Sequence, residues 1–273
     1  MKVPFTKLNG AGNDFIAIDN REGQFNLTRE MIARLCHRHF GIGADGLLLV
    51  ERADEPAAVD YRMRYFNSDG GEAEMCGNGA RCFAQFTKNF PRKNPNYVTF
   101  STPAGNITAV YKEDNTIAID LPPPHDLVLN RSVQLAEETI FGHSINTGVP
   151  HFVTFTDELD LVDVARLGSA LRHHAVFRPA GTNVNFATIL SPGHLKIRTY
   201  ERGVEAETLA CGTGVVASAL IYHLTQGAPS PILVDVAGEA TLIVVFEKNS
   251  TGDFIHLSLQ GPAETVFHGT IEI

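Results

Sequence analysis

A thiol becomes a useful proton carrier where its anion is stabilised. The first turn of a helix is such a place, because its unpartnered N–H groups and partial positive charge favour an anion. Two of the four cysteines stand where a helix is expected to begin. Met75-Cys76-Gly77-Asn78-Gly79-Ala80 and Ala210-Cys211-Gly212-Thr213-Gly214-Val215 share a Cys-Gly-x-Gly core, and each opens an apolar, helix-like segment. The likeness extends upstream, where Gly71-Glu72-Ala73-Glu74 is echoed by Val204-Glu205-Ala206-Glu207. The copies lie about one ordinary domain length apart, so two related halves each contribute one thiol. The glycines let a ligand approach the main chain closely, and each copy therefore offers an acid or base beside an N–H cradle for a carboxylate.

A substrate carbon held between the two sulfurs would meet a thiolate on one face and a thiol on the other. One removes a proton, the other returns one from the opposite side, and the stereocentre inverts. Such a scheme needs no bound cofactor, and the chain carries no P-loop, dinucleotide fingerprint or obvious pyridoxal lysine context. Taken singly, Cys76 or Cys211 is read about equally well as an inert buried residue; their recurrence in the same context weighs against that. A redox pair is the sharper rival, since facing thiols could oxidise to a disulfide. Cys36 and Cys82 read as small buried hydrophobes. With no Cys-x-x-Cys spacing, neither a structural zinc site nor a disulfide framework is expected.

The elements that must position these thiols begin with two strands, residues 3–8 and 14–19, joined by Asn9-Gly10-Ala11-Gly12-Asn13. A helix over 28–39, capped by Thr28 and stopped by Gly41, follows. Then come strands over 46–51 and 59–66, a helix over 80–89, and an antiparallel meander over 97–101, 106–111 and 116–120. Leu121-Pro122-Pro123-Pro124 reads as a stiff crossover and places a domain boundary after residue 121. The second half, 122–262, repeats the plan: strands at 139–146 and 151–156, a helix over 162–174, strands at 183–190 and 194–200, and a helix from the second cysteine to Gln226, stopped by Gly227. That last helix is apolar on nearly every face, so it should be buried and wrapped by strands. Three or four strands close the chain, and the last, about 263–273, is expected to return to the first half.

Length bounds the architecture and charge bounds the partners. At 273 residues the chain accommodates two domains. Its net charge of −9, from 22 Lys and Arg against 31 Asp and Glu, argues against nucleic acid or an anionic membrane as partner and for a small polar ligand. The opening Met1-Lys2-Val3-Pro4-Phe5-Thr6-Lys7 turns polar at once, and no uninterrupted apolar stretch is long enough to span a bilayer. The expectation is a soluble, cytoplasmic protein without metal.

Several motifs together carry a family resemblance. Gly10-Ala11-Gly12-Asn13-Asp14-Phe15, Gly41-Ile42-Gly43-Ala44-Asp45, Tyr65-Phe66-Asn67-Ser68-Asp69-Gly70, Met75 through Cys82, Thr182-Asn183-Val184-Asn185-Phe186, and Tyr200-Glu201-Arg202-Gly203 through Gly214 occur in order along the whole chain. The set resembles the diaminopimelate epimerases. The resemblance implies an α+β fold of two pseudo-symmetric halves, each a strand-wrapped, barrel-like central helix. It further implies interconversion of LL- and meso-2,6-diaminopimelate without pyridoxal phosphate, in the supply of lysine and peptidoglycan precursors, and a homodimer. On this resemblance Cys76 and Cys211 are the acid/base pair, and the main chain at Gly77, Asn78, Gly212 and Thr213 holds the reacting carboxylate. Asn13, Asn67, Asn183, Glu201 and Arg202 bind the rest of the substrate. That suits a second amino-acid head, because a guanidinium forks onto a carboxylate and Glu201 can accept from an ammonium. Alone, Glu201-Arg202 would read as a surface ion pair. His151 matches a family histidine expected to tune Cys76, with Glu201 as the counterpart for Cys211; a lone histidine after proline is otherwise more often a structural hydrogen-bonder. His37, His39, His173 and His174 read as solvated helix residues.

Two positions depart from the family pattern: Val149 where many members have asparagine, and Gly46 where many have glutamine. A proline or hydroxyproline racemase-like enzyme is the nearest alternative, but a one-headed substrate needs no distal reader. A non-catalytic amino-acid binding protein or a thiol redox sensor is the alternative from another class.

Overall fold

The opening hairpin forms from β1 (Lys2–Gly10) and β2 (Asn13–Asp19), paired so that Gly10 faces Asn13. Its loop residues, Ala11 and Gly12, both sit at positive φ, the geometry that lets a two-residue turn match the strand twist. Antiparallel neighbours need only such a turn, but β2 pairs in parallel with β3 (Gly46–Arg52). The chain must therefore cross over, and it does so through α1 (Arg29–Cys36). β4 (Tyr61–Asn67) runs antiparallel to β3, and β5 (Glu72–Ala73) folds back on its end. After α2 (Gly77–Thr87) come β6 (Tyr97–Thr102), parallel to β4, then β7 (Gly105–Tyr111) and β8 (Ile117–Asp120) as an antiparallel meander.

The same sequence of pairings is then built again. β9 (His125–Gln134), β10 (Thr139–Asn146) and β11 (Pro150–Phe155) are antiparallel neighbours. α3 (Val164–Arg172) crosses to β12 (Asn183–Ser191), parallel to β11; β13 (His194–Glu201) and the short β14 (Ala206–Thr208) follow antiparallel. α4 (Gly212–Gln226) leads to β15 (Ile232–Asp235), parallel to β13, and then to β16 (Thr241–Lys248) and β17 (Phe254–Gly261). The last strand, β18 (Glu264–Glu272), pairs antiparallel with β1. The computed structural model describes residues 1–273 and divides into two units, Met1–Asp120 with Gly261–Ile273, and Leu121–Gln260.

Each unit has a core on both faces of its strands. In the first, Ile32 and Leu35 of α1 pack with Val3, Ile16, Ile18, Leu47, Leu49 and Phe66. The alternate residues face α2: a methyl added at Gly79 would lie 3.4 Å from Leu48 and 3.5 Å from Phe15, and Phe83 of α2 stacks against Phe100 of β6 with centroids 4.6 Å apart. In the second unit, Val164 and Leu171 of α3 pack with Phe152, Val184, Phe186 and Tyr200. α4 is buried from Val215 to Tyr222 on all its faces, as its uniformly apolar sequence requires, and Gly227 ends it in the left-handed conformation.

Four details differ from the sequence expectation. α1 stops at Cys36 rather than near His39, because the chain turns back and the N–H groups of Ile42 and Gly43 take the Leu35 carbonyl. Gly41 permits this, since a Cβ there would stand 2.0 Å from the Arg34 carbonyl oxygen. α2 starts at Gly77, not Ala80: its glycines lower helix propensity, yet Cys76 caps the turn. The acidic runs before each cysteine, to which the sequence reading assigns no element, are the short strands β5 and β14. β9 carries no signal in the sequence: eight of its ten residues are exposed, so no alternation marks it.

Candidate active site

Each cysteine of the repeat is the residue that caps its helix. Cys76 takes extended dihedrals, φ −139° and ψ 122°, and its Sγ accepts the N–H of Gly79 at 3.4 Å. Cys211 takes φ −115° and ψ 103° at the start of α4, with its Sγ 3.6 Å from the Thr213 hydroxyl. The short strand before each cysteine, held on the end of its neighbour, delivers the chain into this position. Gly77 with Asn78, and Gly212 with Thr213, thus supply the first main-chain N–H groups of a helix, where an anion is favoured.

Around Cys76 the first unit builds a polar network. Asn13 points Oδ1 to within 3.8 Å of the Cys76 sulfur and receives the Asn78 amide there at 3.4 Å. Its other end is fixed, because Nδ2 donates to Asp45 at 2.6 Å. The buried guanidinium of Arg81 in turn donates to the Asn78 Oδ1 at 2.7 Å. Beneath them Asp14 meets Lys7 at 2.7 Å and Arg38 at 3.0 Å. Burial works to raise the Asp14 carboxyl, but the bonds from Arg38 and Lys7 outweigh it and bring it to about 2. Cys82 is fully buried, and burial lifts its thiol far above the ordinary range, so it stays protonated. Cys36 is likewise pushed up, to about 12. Asn67, at the exposed end of β4, accepts the Tyr65 hydroxyl at 2.8 Å. The departure at Gly46 belongs here, for a Cβ would collide with the Tyr65 ring and the Phe66 carbonyl, both 2.6 Å away.

In the second unit Asn183 and Asn185 share one face of β12. Asn183 is engaged at both ends of its amide: it donates to the Pro150 carbonyl at 3.2 Å and accepts the Arg202 N–H at 2.8 Å. It thereby fixes the corner that carries Glu201 and Arg202. Glu201 accepts the Thr208 hydroxyl at 3.0 Å, and the Arg202 guanidinium donates to the Ala180 carbonyl at 3.0 Å.

His151 is buried in β11, and burial, with the Arg202 charge adding, holds its pKa down to about 3. Its tautomer follows from Asn185. The Asn185 Oδ1 accepts the Thr199 hydroxyl at 3.0 Å, so Nδ2 faces the Phe152 carbonyl and His151 Nδ1, both at 3.1 Å. An amide N–H pointing at Nδ1 makes that nitrogen the acceptor and leaves the proton on Nε2. That Nε2 is buried with no hydrogen-bond partner. His151 is thus a neutral imidazole with a fixed donor. His37 and His39 lie beyond the end of α1 and are exposed, as is His173 at the end of α3; His174 is half-buried.

Sequence reasoning missed Asn185, Arg81 and Asp45. The first had a readable signal: in Asn183-Val184-Asn185 the period of a strand puts both amides on one side. Arg81 and Asp45 had none, because nothing in a sequence says that a guanidinium will be buried or that a carboxylate will hold the Asn13 amide.

The matches with known proteins extend along the same residues. The family model for diaminopimelate epimerase matches residues 5–125 and 143–266. A diaminopimelate epimerase of Hydrogenobaculum sp. (strain Y04AAS1) is 40% identical, covering 97% of both chains. Those of Chlorobaculum tepidum and Aquifex aeolicus are 41% and 39% identical over 97% and 98% of this chain, and 100% and 98% of their own. Among solved structures, a Bacillus anthracis protein of the PhzF phenazine biosynthesis family superposes with a TM-score of 0.74 at 15% identity, covering 100% of each chain. A hydroxyproline epimerase from Agrobacterium vitis with bound trans-4-hydroxy-L-proline reaches 0.74 at 13% identity, over 99% of this chain and 92% of its own. Those two likenesses speak for the fold alone. The sequence matches reach further, running through both cysteine copies at nearly full length, and the chain belongs to the diaminopimelate epimerase family.

Proposed function

We propose that the protein interconverts LL- and meso-2,6-diaminopimelate by a two-base reaction carried by Cys76 and Cys211. The observation that supports this most is the repeated unit itself: one topology, built twice, each time ends in a short strand, a capping cysteine and a buried helix. In the reaction one thiolate takes the α-proton and becomes a thiol, leaving a carbanion whose charge spreads into the α-carboxylate. The main-chain N–H groups of Gly77, Asn78, Gly212 and Thr213 receive that charge. The opposite thiol then gives its proton to the carbon and becomes the thiolate. No oxidant or added group is consumed. Asn13, Asn67, Asn183, Glu201 and Arg202 read the distal amino-acid head, and Glu201 also serves as the tuning partner of Cys211. His151 has one role that its protonation state supports: as a fixed neutral donor it steadies a sulfur anion and does not remove a proton itself. The enzyme works without a cofactor, as a cytoplasmic homodimer.

Incubation of the reduced protein with LL-diaminopimelate in deuterated water tests this. Deuterium should enter the α-carbon together with formation of the meso isomer, and Cys76→Ala and Cys211→Ala should each abolish epimerisation while retaining ligand. A Cys211→Ala protein with full turnover refutes the scheme. Racemisation of hydroxyproline without action on diaminopimelate would assign the site to the one-headed substrate instead.

A further inference from the structure

Arg81 is the largest fully buried side chain of the molecule, and no carboxylate pairs with it. Its Nη2 donates to Asn78 and its Nε to the Pro262 carbonyl at 3.3 Å, while Nη1 is buried with no partner. A guanidinium remains charged in such a place, although burial holds it below its ordinary value. Burying an uncompensated cation is costly, and a group that tolerates this cost usually faces an anion in some working state. The two carboxylates nearby do not supply it. Asp14 and Asp45 are matched by Lys7 and Arg38, so the four cancel and Arg81 is one positive charge in excess.

Of the elements packed around α2, β7 brings Tyr111, which donates to the Ala84 carbonyl and which burial keeps protonated. β3 brings Glu51 and Arg52, engaged by Arg64 and Glu22. β18 brings Glu264, His268 and Glu272, which are exposed, the histidine bonded to Thr6 and Glu272 to Lys2. β8 brings the exposed Asp120, and Lys88 at the end of α2 lies over the Tyr111 ring. Cys82, beside Arg81, is a fully buried thiol. The Arg81 charge acts first on Cys82, which stays protonated, and then on Cys76; the guanidinium joins the surroundings of Cys76 through Asn78, whose amide shares Asn13 Oδ1 with the Cys76 sulfur. We infer that Arg81 is the cation that makes Cys76 the thiolate of the resting pair, with Cys211 the thiol. Asn13 Oδ1 favours a protonated sulfur, but it is a dipole at 3.8 Å, set against a whole charge, the Gly79 N–H and the helix terminus. The second copy lacks the device, since the residue five past Cys211 is the buried, uncharged Val216.

The inference deepens the proposed role of Cys76 and rests on it only for its catalytic meaning, because its test needs no substrate. Iodoacetamide alkylation of the reduced protein, followed against pH and resolved by peptide mass spectrometry, gives a midpoint for each cysteine that does not depend on how fast the reagent enters. In the unaltered protein the Cys76 midpoint should lie at least about one pH unit below that of Cys211, a tenfold difference in thiolate fraction. Arg81→Met should raise the Cys76 midpoint by about one unit and leave Cys211 in place, and Arg81→Lys should recover most of the shift. Equal midpoints in the unaltered protein, or a Cys76 midpoint unmoved in Arg81→Met, overturn the inference. Should Arg81→Met fail to fold, Arg81→Gln, which can still donate to Asn78 but carries no charge, takes its place with the same expected shift.

Discussion

Gly79 and Gly214 occupy the same place in the repeat, three residues past each cysteine, yet the structure assigns them opposite tolerances. A Cβ at Gly214 would stand 2.3 Å from Asn185 Oδ1 and 3.4 Å from Cys211 Cβ. Asn185 is fully buried and holds three bonds, from Thr199 and to Phe152 and His151. To reach van der Waals distance its amide must move by about 1 Å, which breaks or stretches those bonds. Each is worth about 1 kcal/mol net, and the groups left unsatisfied cost about 1–3 kcal/mol more. Alanine recovers at most about 1 kcal/mol of helix propensity, so Gly214→Ala should lose roughly 2–4 kcal/mol. At Gly79 the nearest atoms are Cys76 Cβ at 3.3 Å, Leu48 at 3.4 Å and Phe15 at 3.5 Å, with no buried polar group in the way. There the propensity gain and slight crowding nearly cancel, and Gly79→Ala should stay within about 1 kcal/mol of the unaltered protein. Urea unfolding of the two variants side by side measures the difference. Equal midpoints, or a more stable Gly214→Ala, would refute the reasoning that the second helix start is built around the Asn185 amide.

Three further outcomes are expected. His151 is neutral in the fold and titrates near 3, against about 6.5 when unfolded. The unfolded chain therefore binds the extra proton between those values, and stability contributed above pH 6.5 is lost as pH falls, by roughly 3 kcal/mol down to pH 4. His151→Gln should remove about one proton from that slope in urea midpoints taken from pH 7 to 4, and an unchanged slope counts against the buried neutral imidazole. Lys7→Met should destabilise by roughly 3 kcal/mol, because the partly buried Asp14 loses one of its two cations; thermal unfolding checks it, and the loss should shrink below about pH 4 as Asp14 protonates. Cys82→Ala should leave turnover intact and cost about 1–2 kcal/mol of stability for the cavity, whereas a large loss of turnover would give that thiol a chemical role.

The pieces of this fold that could be read from the sequence are those where one local rule acts alone. The turn at Ala11-Gly12, the all-apolar α4 and its stop at Gly227 each follow from dihedral freedom or burial at a few neighbouring residues. The repeat of Cys-Gly-x-Gly was legible because identical local jobs leave identical residues. Where tertiary context decides, the sequence is silent. The end of α1 depends on Ile42 and Gly43 folding back onto Leu35, and exposed β9 is held by pairing with β10 rather than by a pattern of its own. In the site, the cysteines and the Glu201-Arg202 corner were visible as motifs. That Asn183 spends its amide on Pro150 and Arg202, and that Asn185 sets the His151 tautomer, are facts of register between β11, β12 and β13.

A two-base inversion sets a requirement that a perfect repeat would not meet. The two thiols must present the same geometry to a carbon, yet in any one turnover one must begin charged and the other protonated. Two identical environments would divide the free enzyme between the two forms, and a substrate isomer would find half of it unready. The duplicated backbone satisfies the geometric half: both cysteines cap a buried helix with extended dihedrals after a short antiparallel strand. The side chains packed beneath the two starts differ in charge and in kind. Arg81 and the Asn78–Asn13–Asp45 chain lie under the first, whereas Val216, the Thr213 hydroxyl and the neutral Asn185–His151 pair lie under the second. Backbone symmetry and side-chain asymmetry are then parts of one solution, and Arg81→Met separates them, since it changes no residue of either Cys-Gly-x-Gly copy while removing the charge that tells the two sulfurs apart.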